Sequence, residues 1–176
     1  PALVRAAAAT PDPEATLARG VDLLEAIARR AAYLALLAER PEALERVARM
    51  IGASSWAAEF ITLHPLLLDE LLDSRVFESL PDREQFAREL SARLEHAGDD
   101  EERQVDALRH FRRAAMFRVA MQDLAGRLPL MQVSDKLTWI AEVILEQVLA
   151  VAWADLTNKY GQPRRDSSGP GFVIFG

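Results

Sequence analysis

Residues 133–160, "VSDKLTWIAEVILEQVLAVAWADLTNKY", decide the fold. Leu137, Ile140, Ile144, Val148 and Val151 recur at three- and four-residue steps and so share one helix face. Trp139, Val143, Ala150 and Trp153 widen that face. Ser134 is a natural cap for a helix running to about Tyr160. At about 1.5 Å per residue it would be close to 40 Å long. Its length and apolar character predict the central helix of a bundle, and therefore an all-α domain.

The same periodicity extends towards the N-terminus. Acids open the preceding helix at "DDEE", Asp99 to Glu102, where they offset the helix dipole. It continues to about Gly126 with a stripe of Ala107, Phe111, Ala114, Phe117, Met121, Leu124 and Leu128. Between Ala114 and Met121 almost every residue is apolar, which predicts burial all round. Pro129 ends this helix. Before it, Pro81-Asp82 opens a helix with Gln85 three residues after the cap, a capping-box spacing, and it fades at Ala97-Gly98. Pro65 breaks "WAAEFITLH", capped by Ser54 or Ser55, and opens the short "LLLDELLD". Asp12 with Pro13 at the first helical position starts a long helix that ends only at Pro41. Pro41 opens another, which closes on Gly52 as a residue just past its end.

These elements predict a helical bundle of about seven helices, mostly antiparallel because the links are short. Residues 1–11 read as a loose N-terminal segment, 12–160 as the helical domain and 161–171 ("GQPRRDSSGPG") as a linker. Then "FVIFG", 172–176, has the look of a short orphan β-strand. A lone strand leaves its backbone groups unpaired, so it reads as the beginning of a sheet. The chain opens on Pro1 without an initiator methionine, and on this reading it is already cut at its front.

Composition bounds the function. Of 176 residues, 50% are hydrophobic, enough to build a core. A net charge of -6 argues against nucleic acid, whose phosphates call for a basic surface. No run of about 18 residues is both apolar and free of charge, so no membrane span is predicted. Cysteine is absent from the sequence, which fits a reducing cytoplasm. Arginine outnumbers lysine 19 to 2, which reflects genome composition rather than chemistry.

A search for reactive constellations returns none. His64, His96 and His110 lack partners at metal-site spacings, and His64, just before Pro65, reads as structural. "SSGPG" precedes a strand, whereas a phosphate-cradling loop follows one and opens a helix. Asp69, Glu70 and Asp73 cluster on one short helix and read as a solvated face, with a basic partner as the sharper alternative. Arg109 and Arg113 share a face that could hold an anion, although pairing with acids of neighbouring helices is the plainer reading. Arg118, inside "AAMFRVAM", is predicted buried and so to need a carboxylate from another helix. Asp123 or Glu142 is the expected partner, and a catalytic role for Arg118 is the lesser reading. No catalytic, cofactor-binding or metal residue is assigned, because no acid pair, nucleophile–base pair or metal cluster has suitable spacing.

Three long words, "AYLALLAERPEALERVARMIGASSWAAEFITLHPLLLDELLD" (32–73), "DALRHFRRAAMFRVAMQDLAGRLPLMQVSDKLTWIAE" (106–142) and "GFVIFG" (171–176), resemble the bacterial glutamine synthetase adenylyltransferase/adenylyl-removing enzymes. The likeness covers about residues 20–176, in the helical region leading into the second, adenylylating half of that two-headed family. It implies a cytoplasmic nucleotidyltransferase that moves AMP from ATP to a tyrosine of glutamine synthetase, with Mg²⁺, under control of a PII signalling protein. It also implies that 172–176 is the first strand of a truncated nucleotidyltransferase domain. In such enzymes a glycine-rich stretch and an Asp-x-Asp pair follow that strand; neither is present here, so no catalytic residue is carried over. The segment would then be scaffold or partner-docking surface, inactive alone. The alternative is a stand-alone helical adaptor without enzymatic activity. An Asp-x-Asp pair within about forty residues beyond Gly176 separates the two, given the carboxylate layout of two-metal transfer.

Overall fold

The structure is a computed structural model, and it describes residues 2–72 and 80–162. Among these, nine α-helices and one 3₁₀ turn account for the regular structure, not seven helices. They are α1 (Ala2–Ala8), α2 (Pro13–Ala26), α3 (Ala31–Glu39), α4 (Pro41–Ala53), α5 (Ser55–Leu63), α6 (Leu68–Leu72), α7 (Arg83–Ala97), α8 (Glu101–Leu124) and α9 (Leu130–Tyr160), with the 3₁₀ turn at Pro65–Leu67. The strand expected at 172–176, the "SSGPG" stretch and Asp73 lie outside the described residues.

Several helix starts follow directly from their caps. The Asp12 side chain accepts from Ala15 N at 3.0 Å ahead of Pro13. Ser54, rather than Ser55, caps α5 through Ala57 N at 3.2 Å. Asp82 and Gln85 form the reciprocal box, with bonds of 2.7 and 2.8 Å. Asp100 caps α8 through Arg103 N at 3.1 Å, leaving Glu101 and Glu102 in the first turn. Each satisfies a backbone donor that the helix itself leaves open.

Two extra helices explain the difference in count. Residues 1–11 are not loose throughout: α1 is docked, with Ala7 only 2% exposed and Leu3 packed against Gly20. Thr10 Oγ1 donates to Ala7 O at 2.7 Å and lies 2.8 Å from Thr16 Oγ1, which fastens the α1–α2 corner. The long helix expected from Pro13 to Pro41 is broken at residues 27–30. A straight helix of that length would be about 40 Å long, roughly twice the length of α4. The break folds it back, so that Leu23, Ile27 and Leu37 all enter one core at 4% exposure or less.

Gly52 is not past the end of α4 but inside it. A Cβ there would sit 2.7 Å from Thr16 Oγ1 and 3.3 Å from Thr10 Cβ. Alanine normally favours a helix by about 1 kcal/mol over glycine, but overpacking of this kind costs about 1–3 kcal/mol. Gly52→Ala is therefore expected to destabilise the chain by on the order of 1 kcal/mol, read as a lower denaturation midpoint. A raised midpoint would mean that the α1–α2 corner yields freely.

Among the described residues the interior holds two apolar clusters. The first joins α1 to α6 around residues such as Val47, Ile51, Ile61 and Leu71; the second joins α7, α8 and α9 around Phe86, Leu90, Ile140 and Val143. Helix α8 serves both. Its Ala114, Phe117 and Met121 enter the first, and Phe111, Ala115 and Val119 the second. Steps of three and four residues place these triplets on adjacent faces, which accounts for the burial of this stretch. The central helix is thus α8, not α9. In α9 only Ile140 and Val143 are buried. It starts at Leu130, with Pro129 as N-cap, and Ser134 lies within it.

By length and composition alone α9, at 31 residues, is long and apolar enough to cross a membrane. The charge-free criterion overlooked it because Glu142, Glu146 and Asp155 interrupt the run. Part of it is docked in the bundle: Arg83 of α7 pairs with Glu142 at 3.0 Å and with Glu146, and Lys136 Nζ donates to Pro81 O at 2.9 Å.

Candidate functional site

The densest polar arrangement lies where the two clusters meet. Arg118 is 7% exposed, as its apolar neighbours predicted. Its partners are neither Asp123 nor Glu142. Nη2 donates to Glu89 Oε1 and Oε2 of α7 at 2.7 and 3.0 Å. Nε lies 3.3 Å from Glu70 Oε2 of α6, an ion pair without hydrogen-bond geometry. Asp123 is exposed on the same helix, and Glu142 is taken by Arg83. One guanidinium thus ties α8 to both α6 and α7, and its carbon lies 6.0 Å from the centre of the Phe86 ring.

The network extends outwards from Glu89. Arg93 Nη2 donates to Glu89 Oε1 at 2.8 Å, and Arg93 Nη1 lies 2.9 Å from His110 Nδ1. Burial pushes the Glu89 carboxyl up, but the hydrogen bonds and charge of Arg118, then of Arg93, outweigh it and hold the group below its ordinary value. Burial lowers His110, and the charge of Arg93 lowers it further, with Glu70 opposing. A neutral ring lets Nδ1 accept from Arg93. The Glu89–Arg93 pair, four residues apart on α7, was a readable sequence signal that went unused.

This geometry sets a pH response. Because His110 folds with a pKa below its ordinary 6.5, the unfolded chain binds more protons in the window just beneath that value. Stability is therefore full above 6.5 and falls as the pH drops through the folded value. His64 adds in the same sense: burial lowers it first, then Arg113 and Arg112. The denaturation midpoint is expected to fall between pH 7.5 and 5.5, and His110→Gln should flatten that slope. A slope unchanged by His110→Gln would exclude this source.

The other singled-out residues have plainer roles. Arg109 pairs within its own helix, with Asp106 at 3.5 Å, and among the described residues no acid of a neighbouring helix pairs with it. Asp69 accepts from Tyr33 Oη at 3.1 Å. His64 closes α5, edge-on to Phe60 at 5.1 Å between centroids. Among the described residues no group of three or more His, Asp or Glu side chains is placed to hold a metal ion. An open groove of about 800 Å³ borders the network, lined by Arg93, His96, Arg103, Asp106 and His110. Its lining has no Ser, Thr or Cys side chain. The arrangement fixes α6, α7 and α8 to one another and presents a charged surface beside them.

Comparison with known proteins bears on what is being held. The chain is 48% identical over its whole length to the bifunctional glutamine synthetase adenylyltransferase/adenylyl-removing enzyme of Pseudomonas putida, covering 18% of that protein. It is 48% identical to the protein of the same name from Thioalkalivibrio sulfidiphilus, covering 19% of it, and 43% identical to that of Neisseria meningitidis, again covering 19%. The chain thus spans about a fifth of the length of these relatives. The sequence model of glutamate-ammonia ligase adenylyltransferases matches residues 44–176. By that match and by these identities, the chain belongs to the glutamate-ammonia ligase adenylyltransferase family.

Proposed function

We propose that these residues form the helical, non-catalytic segment of a longer enzyme that transfers AMP from ATP to a tyrosine of glutamine synthetase, regulating nitrogen assimilation. The observation that carries this reading is identity of 48% across the whole chain to enzymes named for that activity, of which the chain covers 18%. That share favours a segment over a stand-alone adaptor. The interior supports a scaffolding role, since its buried charge is spent joining helices. Control by a PII signalling protein, a cytoplasmic setting and the absence of nucleic-acid or membrane partners belong to the same proposal and rest on the resemblance and the acidic charge.

Transfer of this type uses ATP and Mg²⁺, which align the phosphates for in-line attack. The described residues do not fit Mg²⁺: no three His, Asp or Glu side chains among them converge, and the two carboxylates that do, Glu70 and Glu89, are held by Arg118, so no step is assigned to them. In this proposal the chemistry belongs to other parts of the longer polypeptide. The test is incubation of that longer polypeptide with labelled ATP, Mg²⁺ and glutamine synthetase. Label on a tyrosine of glutamine synthetase is the expected result, and its absence would overturn the reading.

A further inference from the structure

Helix α9 carries more apolar surface than the bundle covers. Leu137, Ala141, Leu145, Val148, Ala152 and Leu156 follow at steps of four, four, three, four and four. At 100° per residue these positions stay within an arc of about 100°. All six are exposed, the four larger ones by 40% to 51%. Ile140 and Val143, on the side facing α7 and α8, are 3% and 1% exposed. The exposed stripe is about 28 Å long, an apolar line edged by Thr138 and Asp155, of the kind that lies in a groove of a partner.

Resting on the function proposed above, we propose that this stripe docks against the catalytic part of the same polypeptide. More than four fifths of each relative's length lies outside the segment. A surface on a covalently joined domain meets the stripe at an effective concentration in the millimolar range, far above that of a second copy in solution. Lipid is disfavoured by charge: α9 carries Asp135, Glu142, Glu146 and Asp155 against Lys136 and Lys159, whereas helices lying on anionic membranes have a basic polar face. The occupant is thus an apolar groove on the joined domain.

The test uses the full-length polypeptide. The 176 residues contain no cysteine, so single cysteines are introduced by Leu145→Cys and Val148→Cys. Glu102→Cys and Arg109→Cys on α8 serve as references, both exposed positions. Alkylation of each site is followed by peptide mass spectrometry. The stripe is expected to react at least about tenfold more slowly than the references, at every protein concentration. A smaller difference overturns the proposal. So does protection that appears only as the protein is concentrated, which would indicate a second copy, or only with anionic phospholipid vesicles, which would indicate a membrane. AMP transfer is measured on the unsubstituted polypeptide in parallel. Transfer with an open stripe sinks the docking claim alone, whereas a protected stripe without transfer sinks the functional reading and leaves the contact standing.

Discussion

Arg118→Ala is expected to destabilise the chain by about 3–5 kcal/mol, the usual result of removing one partner of a buried ion pair. The loss comes less from the attraction removed than from what remains. Glu70 and Glu89 are 18% and 26% exposed at their side chains, and without Arg118 they would face one another across an interior with little water. Arg93 stays on Glu89, which places the effect towards the lower end of that range. The pair also predicts a pH dependence. Glu89 folds with a pKa below its ordinary 4.5, so the stability it contributes is present above 4.5 and is lost as the pH falls through the folded value. The gap between the parent chain and Arg118→Ala should therefore narrow in acid. The double change Arg118→Met, Glu89→Met should recover part of the loss, since well-packed apolar replacements of buried pairs are often neutral. Denaturant unfolding measures all of these. A loss below about 1 kcal/mol, as for a surface pair, would show that the guanidinium is better solvated than its 7% exposure implies.

Phe111→Ala is expected to cost a similar amount, about 3–5 kcal/mol. Phe111 is fully buried and meets Phe86 edge-on at 6.1 Å between centroids. Truncation leaves a cavity bounded by Leu90, Ala115 and other residues of the second cluster, and helix backbones cannot collapse to fill it. Against a total stability of about 5–15 kcal/mol for a domain, the chain would sit close to its unfolding limit. The distinctive expectation concerns cooperativity. Because α8 supplies both clusters, damage at Phe111 should lower one shared transition rather than melt the α7–α9 part alone. Circular dichroism and tryptophan fluorescence should report coincident curves, with Trp56 on the α5 side and Trp139 and Trp153 on α9. Two separated transitions would mean that the clusters fold independently and that α8 is not a common spine.

What the sequence disclosed follows the range of the interactions involved. Caps at Asp12 and Asp82 were legible because a side chain and the backbone it satisfies lie three residues apart; the same spacing left Ser54 and Ser55 as alternatives, of which Ser54 is the cap, and in the acidic run 99–102 it did not single out Asp100 as the cap. Burial of Arg118 was legible from its apolar neighbours. The identity of its partners was not, because Glu89 is 29 residues distant and the approach of α7 to α8 has no local signature. The break between α2 and α3 was hidden because Ala-rich residues there suit a helix equally well, and only the short reach of α4 demands a turn. Helix α9 was placed at the centre for a related reason. Apolar periodicity reports that a face needs a partner but not whether the partner is in the same bundle, so Leu137 and Val148 read like core residues and lie at the surface.

If these helices support AMP transfer rather than perform it, the 176-residue chain by itself should place no label on glutamine synthetase. The measurement is incubation of the purified chain with labelled ATP, Mg²⁺ and glutamine synthetase, beside the longer polypeptide as positive control. The predicted result is label at the level of a no-protein blank from the chain, and clear labelling from the longer polypeptide. Reproducible labelling by the chain alone would contradict the assignment of chemistry to parts of the enzyme outside it.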